Sequence, residues 1–158
     1  MARAANTSTA PLSATELAAW RGLLEVHAEV MQALDAQMRR EHGLSVSAYE
    51  VLMFLGDAPE HRLRMAEIAQ RVLLSRSGCT RLVDRLAQLG YVTRSAAEVD
   101  GRGLYAELTE AGARKLEAAR ATHRGGIRAE FLARVSPADQ RALGEVWARF
   151  KAAARGDG

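Results

Sequence analysis

Residues 65–108 constrain the fold of this chain most strongly, because their patterning changes from helical to strand-like within one continuous segment. Residues 65–72 (MAEIAQRV) predict a short helix, residues 73–75 a turn, and residues 76–90 (RSGCTRLVDRLAQLG) a second helix that ends in glycine. Two strand-like stretches follow, YVTRS and LYAEL, and the loop between them contains an Asp-Gly step typical of hairpins. An isolated hairpin is marginally stable in water, so this one is expected to lie against the helices.

A long amphipathic helix is predicted before this segment. Ser13 is a candidate N-cap with Glu16 reaching back to complete a capping box, and Gly43 is a candidate end of the helix. One stripe of positions recurs between them at spacings of three and four: Leu17, Trp20, Leu24, His27, Met31, Leu34 and Met38. Such a seven-residue repeat is typical of a helix that packs along another helix.

The remaining capping residues and apolar patterns predict three more helices and a further strand. A second capping box, Ser47 to Glu50, indicates a short helix, and a short strand is expected around Leu63. Thr109 is a candidate cap of a fifth helix, and Ser136 before a proline is typical of the start of a sixth. The predicted fold is therefore mainly α, with about six helices and a small antiparallel sheet of two to three strands.

One position in the fifth helix is expected to interrupt it. The pair Gly125-Gly126 lies in the middle of the helical pattern, where glycine costs conformational entropy and leaves the backbone open to bending. We therefore expect a kink or a break in the fifth helix at this pair.

Composition excludes several classes of protein. A chain of 158 residues can bury a core, and none of its apolar runs approaches the roughly 18–20 residues that span a bilayer. Residues 1–11 predict a flexible tail without the apolar stretch of a secretory signal. The single cysteine, Cys79, cannot form an internal disulfide, which fits a reducing cytoplasm. The four histidines lack paired metal-ligand spacing, and we find no phosphate loop or nucleophile motif, so we expect no metal, no cofactor and no enzyme activity.

The positive charge is concentrated in the middle of the chain. Residues 61–103 contain eight arginines and four acidic residues, a net charge of +4, whereas the whole chain carries +3. A basic segment inside an otherwise balanced chain is typical of a surface that meets a polyanion.

The fourth predicted helix divides into two faces. Cys79 lies on its apolar face, whereas the opposite face and the N-terminal turn carry polar and basic side chains. Ser75 caps this helix, whose free N–H groups suit a phosphate. The end of a recognition helix that reaches base edges would present Arg76, Ser77, Thr80 and Arg81. The alternative is an ordinary solvated face, with Arg81, Asp84 and Arg85 forming a ladder of ion pairs.

The tip of the hairpin carries an arginine between two glycines. Gly101 and Gly103 allow the backbone to approach a partner closely, and Arg102 on such a loop can enter a narrow minor groove. Asp100 is placed to orient that guanidinium. The alternative is a polar turn with a weak surface ion pair.

The order helix, turn, helix and wing resembles the MarR family of bacterial winged-helix regulators, from about residue 12 to residue 150. The wing signature Asp-x-Arg-(x)5-Leu-Thr is met by Asp100, Arg102, Leu108 and Thr109, and Gly112 follows it. GLSVSAYEVLMFL resembles the family's entry into the second helix, and LSRSGCTRLVDRLAQLGYVTR resembles its recognition helix and first wing strand.

The resemblance implies a homodimer that binds double-stranded DNA at a pseudo-palindromic operator. Residues 12–44 and 110–155 would form a helical dimerisation region, and residues 45–109 a winged helix-turn-helix lobe. By residue match, Arg102 would contact the minor groove and Arg94 a phosphate. The matching contacts of the recognition helix, in the major groove or to phosphates, would be Arg76, Ser77, Thr80 and Arg81.

The function predicted from the sequence is a cytoplasmic, sequence-specific transcriptional regulator, associated with the nucleoid when bound to DNA. The resemblance implies a repressor whose DNA binding is relieved by a small, aromatic or phenolic ligand. Candidate ligand residues are Trp20, His27 and Tyr49, although each also fits ordinary packing. Two alternatives stay open: a winged-helix module that binds a protein instead of DNA, and a regulator that senses oxidants through Cys79.

Overall fold

The computed structural model describes residues 9–96 and 104–155. Its six helices and three strands occur in the predicted order, with a 3-10 turn at Pro59–His61 and another at Leu132–Arg134. The helices and strands are α1 (Ala14–His42), α2 (Val46–Asp57), β1 (Arg62–Arg64), α3 (Met65–Arg71), α4 (Arg76–Gln88), β2 (Val92–Ala96), β3 (Leu104–Leu108), α5 (Glu110–Glu130) and α6 (Pro137–Arg155). The mainly α fold with a small antiparallel sheet is confirmed. In the described ranges, no helix is both long enough and apolar enough to cross a membrane.

Side-chain caps set the starts of most helices. The Ser13 hydroxyl accepts from the Glu16 amide at 3.2 Å, and the Glu16 carboxylate accepts from the Ser13 amide at 2.8 Å, which confirms the first capping box. This hydrogen bonding to Ser13 lowers the pKa of the Glu16 carboxyl. Ser75, Thr109 and Ser136 cap α4, α5 and α6 as predicted.

The predicted cap of α2 was placed two residues too late. Ser45 is the N-cap, and its hydroxyl accepts from the Ala48 amide at 3.1 Å. Ser47 lies inside the first turn, and the Asp35 carboxylate of α1 accepts a further hydrogen bond from the Val46 amide at 2.9 Å. The error arose because two serines two residues apart both fit a local cap pattern, and the packing of α1 against this turn selected Ser45.

The sheet has the strand order β1-β3-β2 and is antiparallel throughout. Leu63 pairs with Ala106, and both side chains are buried against the helices. The opposite face of the sheet, which we call the outer sheet face, carries the side chains at Arg62, Arg64, Thr93, Ser95, Tyr105 and Glu107.

The fifth helix is not broken at Gly125-Gly126, so the expectation of a break there was wrong. α5 continues through both glycines from Glu110 to Glu130. Gly126 is buried where α5 crosses α1, and a Cβ added there would lie 2.5 Å from Leu34 Cδ2. A Cβ added at Gly125 would meet nothing within 4 Å. The second glycine therefore allows the two helices to approach closely.

One core joins the winged helix-turn-helix to the long helices. Leu34 and Met38 of α1, and Leu116 and Ala119 of α5, belong to the same buried cluster as the side chains of α2 to β3. Of the described side chains, none in α6, and none in α1 before Leu34, is buried. The core therefore continues across the boundaries predicted at residues 44 and 110, and a division of function at these boundaries stays a prediction.

Candidate nucleic-acid interface

The N-terminal turn of α4 is formed locally and lies at the surface. Ser75 accepts from the Gly78 amide at 3.1 Å and lies 3.3 Å from the Ser77 hydroxyl. Both serines are exposed, as is Arg76. The preceding turn contains Leu73, which has a φ of +54° and is 90% exposed. Two short hydroxyl side chains and a guanidinium therefore surround the positive end of the α4 dipole, an arrangement that suits an anion.

Two predicted contact residues on α4 are free cations. Arg76 and Arg81 are exposed, and neither forms an ion pair or a side-chain hydrogen bond within the described part of the chain. Thr80 differs, because it is half-buried and its hydroxyl donates to the Arg76 carbonyl at 2.9 Å. A partner could therefore bind both guanidinium groups without breaking an ion pair or a side-chain hydrogen bond among the described residues.

The ion-pair ladder considered for α4 is absent from the described residues. Asp84 pairs with Arg94 of β2, across the joint between the helix and the sheet, and not with Arg81 or Arg85. The Arg94 side chain is 27% exposed in this pair. Arg94, which the resemblance suggests as a phosphate contact, therefore also fastens the first wing strand to α4.

The cysteine of α4 is a packed side chain. Cys79 is 1% exposed, and its thiol lies 3.7 Å from the Met65 carbonyl. Burial raises the pKa of the Cys79 thiol, against a smaller opposite effect of Arg94. Because the thiolate is the reactive form, this environment disfavours oxidation.

Both strands of the wing are described, whereas the loop that joins them, residues 97–103, lies outside the described residues. The predicted tip residues Asp100, Gly101, Arg102 and Gly103 lie outside the described residues. Thr109, at the end of β3, donates to the Gly90 carbonyl at 2.7 Å and so ties the returning strand to the end of α4.

Arg62 and Arg64, which the sequence predicted only as part of the basic segment, both lie against the ring of Tyr105. The guanidinium carbons of Arg62 and Arg64 lie 4.2 and 5.4 Å from the centroid of the Tyr105 ring. The alternation Arg-Leu-Arg in a predicted strand already indicates that both arginines lie on one face of the sheet, because successive side chains point to opposite faces. That Tyr105 lies opposite them depends on the register of β1 against β3.

The three candidate ligand residues separate into two places. Trp20 and His27 line an apolar groove of about 760 Å³ between α1 and α6, together with Leu23, Val146 and Trp147 among others. Tyr49 is 2% exposed and stacks on His123 with ring centroids 4.4 Å apart. Burial raises the pKa of Tyr49 and lowers the pKa of His123, so both rings are held in their neutral forms.

Comparison with known sequences identifies related regulators. A sequence model of the MarR family matches residues 42–103. The HTH-type transcriptional repressor YetL from Bacillus subtilis (strain 168) is 40% identical over 75 residues, which cover 48% of this chain and 45% of that protein. The transcriptional repressor MprA from Escherichia coli (strain K12) is 26% identical over 111 residues, which cover 70% of this chain and 54% of that protein. The chain thus spans about half the length of these curated relatives.

Solved structures extend the similarity to nearly the whole chain. Sco3205, a MarR family transcriptional regulator from Streptomyces coelicolor in complex with DNA, is 31% identical with a TM-score of 0.87, covering 94% of this chain and 92% of that one. AbsC, a MarR family transcriptional regulator from the same organism, is 30% identical with a TM-score of 0.84, covering 94% and 99%. From these matches and the helix-turn-helix geometry, the chain belongs to the MarR family.

Proposed function

We propose that this chain is a sequence-specific DNA-binding transcriptional regulator that acts in the cytoplasm. The observation that carries the proposal is the N-terminal turn of α4. There Arg76 and Arg81 are exposed and have no ion-pair or side-chain hydrogen-bond partner among the described residues, beside the positive end of a capped helix. Arginine recognises guanine and phosphate with paired hydrogen bonds. The similarity to Sco3205, solved with DNA, supports the same use of the lobe here.

The proposal includes a homodimer. Large apolar side chains are exposed on α1 and α6, among them Trp20 (54%), Leu23 (42%) and Phe150 (68%). They line the same groove, and an apolar face of this kind is costly in water unless another surface covers it. A second copy can cover it symmetrically, which would place two winged lobes on one operator.

The direct test is selection of bound DNA from a random duplex pool, followed by affinity measurements at several salt concentrations. We expect two half-sites about 10 bp apart. We expect log affinity to fall steeply with log salt, by roughly 0.9 for each phosphate contact. A pool without enrichment, or an affinity that does not change with salt, would instead favour the alternative of a protein-binding module.

Arg81→Ala tests the assignment of α4 as the recognition helix. We expect a loss of about 1–3 kcal/mol of binding free energy, concentrated at one base position, if Arg81 reads a base. Arg128→Ala is the matched control, because Arg128 is an exposed arginine on α5 without an ion pair in the described residues. An equal loss on every sequence would make Arg81 a phosphate contact.

The finer proposal is repression relieved by a small aromatic ligand. Two of the relatives are named as repressors. In the proposed dimer, a small ligand would occupy a part of the groove beside Trp20 and His27 that the second copy leaves open. Titration with a panel of small aromatic acids should quench tryptophan fluorescence and release the selected DNA at the same concentration. If the DNA is released without quenching, the ligand binds elsewhere than beside Trp20. If no compound releases the DNA, this part of the proposal is wrong.

A further inference from the structure

The outer sheet face holds two arginines on one tyrosine. Arg62 lies over the Tyr105 ring, and Arg64 Nε donates to the Tyr105 hydroxyl at 2.9 Å. Stacking and hydrogen bonding limit the rotamers of both long side chains, so little further ordering is needed to bind a partner. The outer sheet face therefore presents two guanidinium groups whose orientations are largely fixed before a partner binds.

This pair has no internal counter-ion in the described part of the chain. Neither guanidinium forms an ion pair there, although Glu107 is the register partner of Arg62. The Glu67 carboxylate accepts from the backbone amide of Arg64 at 2.9 Å but does not pair with its guanidinium.

Two polar atoms on this face lack a hydrogen bond to any described residue. They are Arg62 Nε and Ser95 Oγ, and both are shielded from solvent. Two guanidinium groups held on one ring repel each other, and an anion with several acceptor oxygens would offset this repulsion by binding the exposed Arg64. An external anion is therefore favoured at this face.

The position of the face identifies the acceptor. Tyr105 is one residue from Leu104, where β3 begins after the wing tip, and Ser95 is its register partner on the other wing strand. Both wing strands therefore contribute to this face, close to the end of the wing that the proposed function places on DNA. We propose that the outer sheet face is a second phosphate-binding surface, with Arg64 and Arg62 contacting the DNA backbone that flanks the wing. This inference rests on the proposed function.

The roles within the surface differ. Arg64 is exposed and is the principal contact, whereas Arg62 is half-buried under the ring and adds charge behind it. Tyr105 is a positioning residue, because its hydroxyl holds the Arg64 guanidinium and its ring supports Arg62.

The test uses the full chain and two versions of the selected operator, one that ends at the half-sites and one with about six further base pairs on each side. Arg64→Gln should weaken binding to the long duplex about tenfold and reduce the magnitude of the salt slope by about one for each protomer. Binding to the short duplex should change little. Arg64→Lys keeps the charge, so the salt slope should be retained with a smaller loss of affinity.

Tyr105→Phe separates positioning from charge. It retains the ring under Arg62 but removes the hydroxyl that holds Arg64, so we expect a loss of about threefold on the long duplex with the salt slope nearly unchanged. Arg128→Gln is the control for removing a surface arginine, and unfolding midpoints verify that each variant is folded.

The outcomes distinguish this inference from the proposed function. If the unmodified chain selects no DNA, the proposed function itself fails. If it binds DNA with a steep salt slope and Arg64→Gln matches Arg128→Gln on both duplexes, only the second surface is overturned. Retained DNA binding with loss of an acidic protein partner would likewise overturn it, because the acceptor would then be a carboxylate.

Discussion

The winged lobe and the α1–α6 pair differ in how completely this chain buries their apolar faces. Strands and helices from α2 to β3 surround a closed core that includes Leu52, Ile68 and Val83, each fully buried. The α1–α6 pair also carries apolar side chains along one face, but its groove remains open, with more than half of the Trp20 and Phe150 surfaces exposed. An apolar stripe therefore indicates that a face must be covered, without specifying whether the same chain covers it.

The contrast occurs within a single helix. Leu34 and Met38, near the end of the α1 stripe, are buried against the rest of the chain. Trp20 and Leu24, earlier in the same stripe, are about half exposed. If the earlier half is an interface between copies, changes in the two halves should have different consequences: the later half should affect folding, and the earlier half should affect association.

The largest effect is expected where the lobe is closed most tightly. A Cβ at Gly112 would lie 2.1 Å from the Tyr91 carbonyl oxygen, a backbone atom that cannot move aside cheaply. Gly112→Ala should therefore lower the free energy of unfolding by about 3 kcal/mol or more, measured by denaturant titration. A change below 1 kcal/mol would mean that the start of α5 is not fixed by this contact.

A charge in the open groove should affect association instead of folding. Leu23→Asp is expected to raise the dimer dissociation constant at least thirtyfold, or about 2 kcal/mol, because it buries a carboxylate in an apolar interface. Sedimentation measures the change. Leu89→Asp is the control, because Leu89 is also about half exposed but ends α4, outside the groove. Equal association of both variants would contradict the use of this groove.

Gly125 and Gly126 allow an exposed position and a closely packed position to be compared at neighbouring residues of α5. Gly125→Ala adds a methyl group into open space on a helix and should stabilise by roughly 0.5–1 kcal/mol. Gly126→Ala gains the same helix propensity but pushes against Leu34 and Gln37, so it should be about 1–2 kcal/mol less stable than Gly125→Ala. Equal thermal midpoints would show that α1 and α5 can separate at no cost.

The smallest effect is expected from His123, the half-buried histidine beside Tyr49. Because burial lowers the pKa of His123, the unfolded chain binds its proton first as pH falls below about 6.5. The stability associated with the neutral ring is present above that pH and is lost as pH falls toward the lower folded value. His123→Phe keeps an aromatic partner for Tyr49 and should reduce the loss of unfolding free energy between pH 7 and pH 5. Parallel pH profiles would contradict this role.

The sequence by itself determined the local elements and their order. Caps such as Ser13, Ser75 and Thr109, and the alternation in LYAEL, depend on neighbours within a few residues, so the local chain specifies them. The exposed arginines at the start of α4 were predictable for the same reason, since the helical period separates them from the apolar face.

Only the tertiary structure decided which distant groups meet. The local pattern allowed either Ser45 or Ser47 to cap α2, and the hydrogen bond that Asp35 of α1 accepts from this turn favours Ser45. The local pattern also suggested a break at Gly126, whereas the structure shows that this glycine lies where α1 crosses α5. Asp84 forms its ion pair with Arg94 of β2 and not with an arginine of α4. The register of β1 against β3 brings Arg62 and Arg64 to the Tyr105 ring. These contacts join residues far apart in the chain, so their energies depend on helix crossings and strand register that a local pattern does not contain.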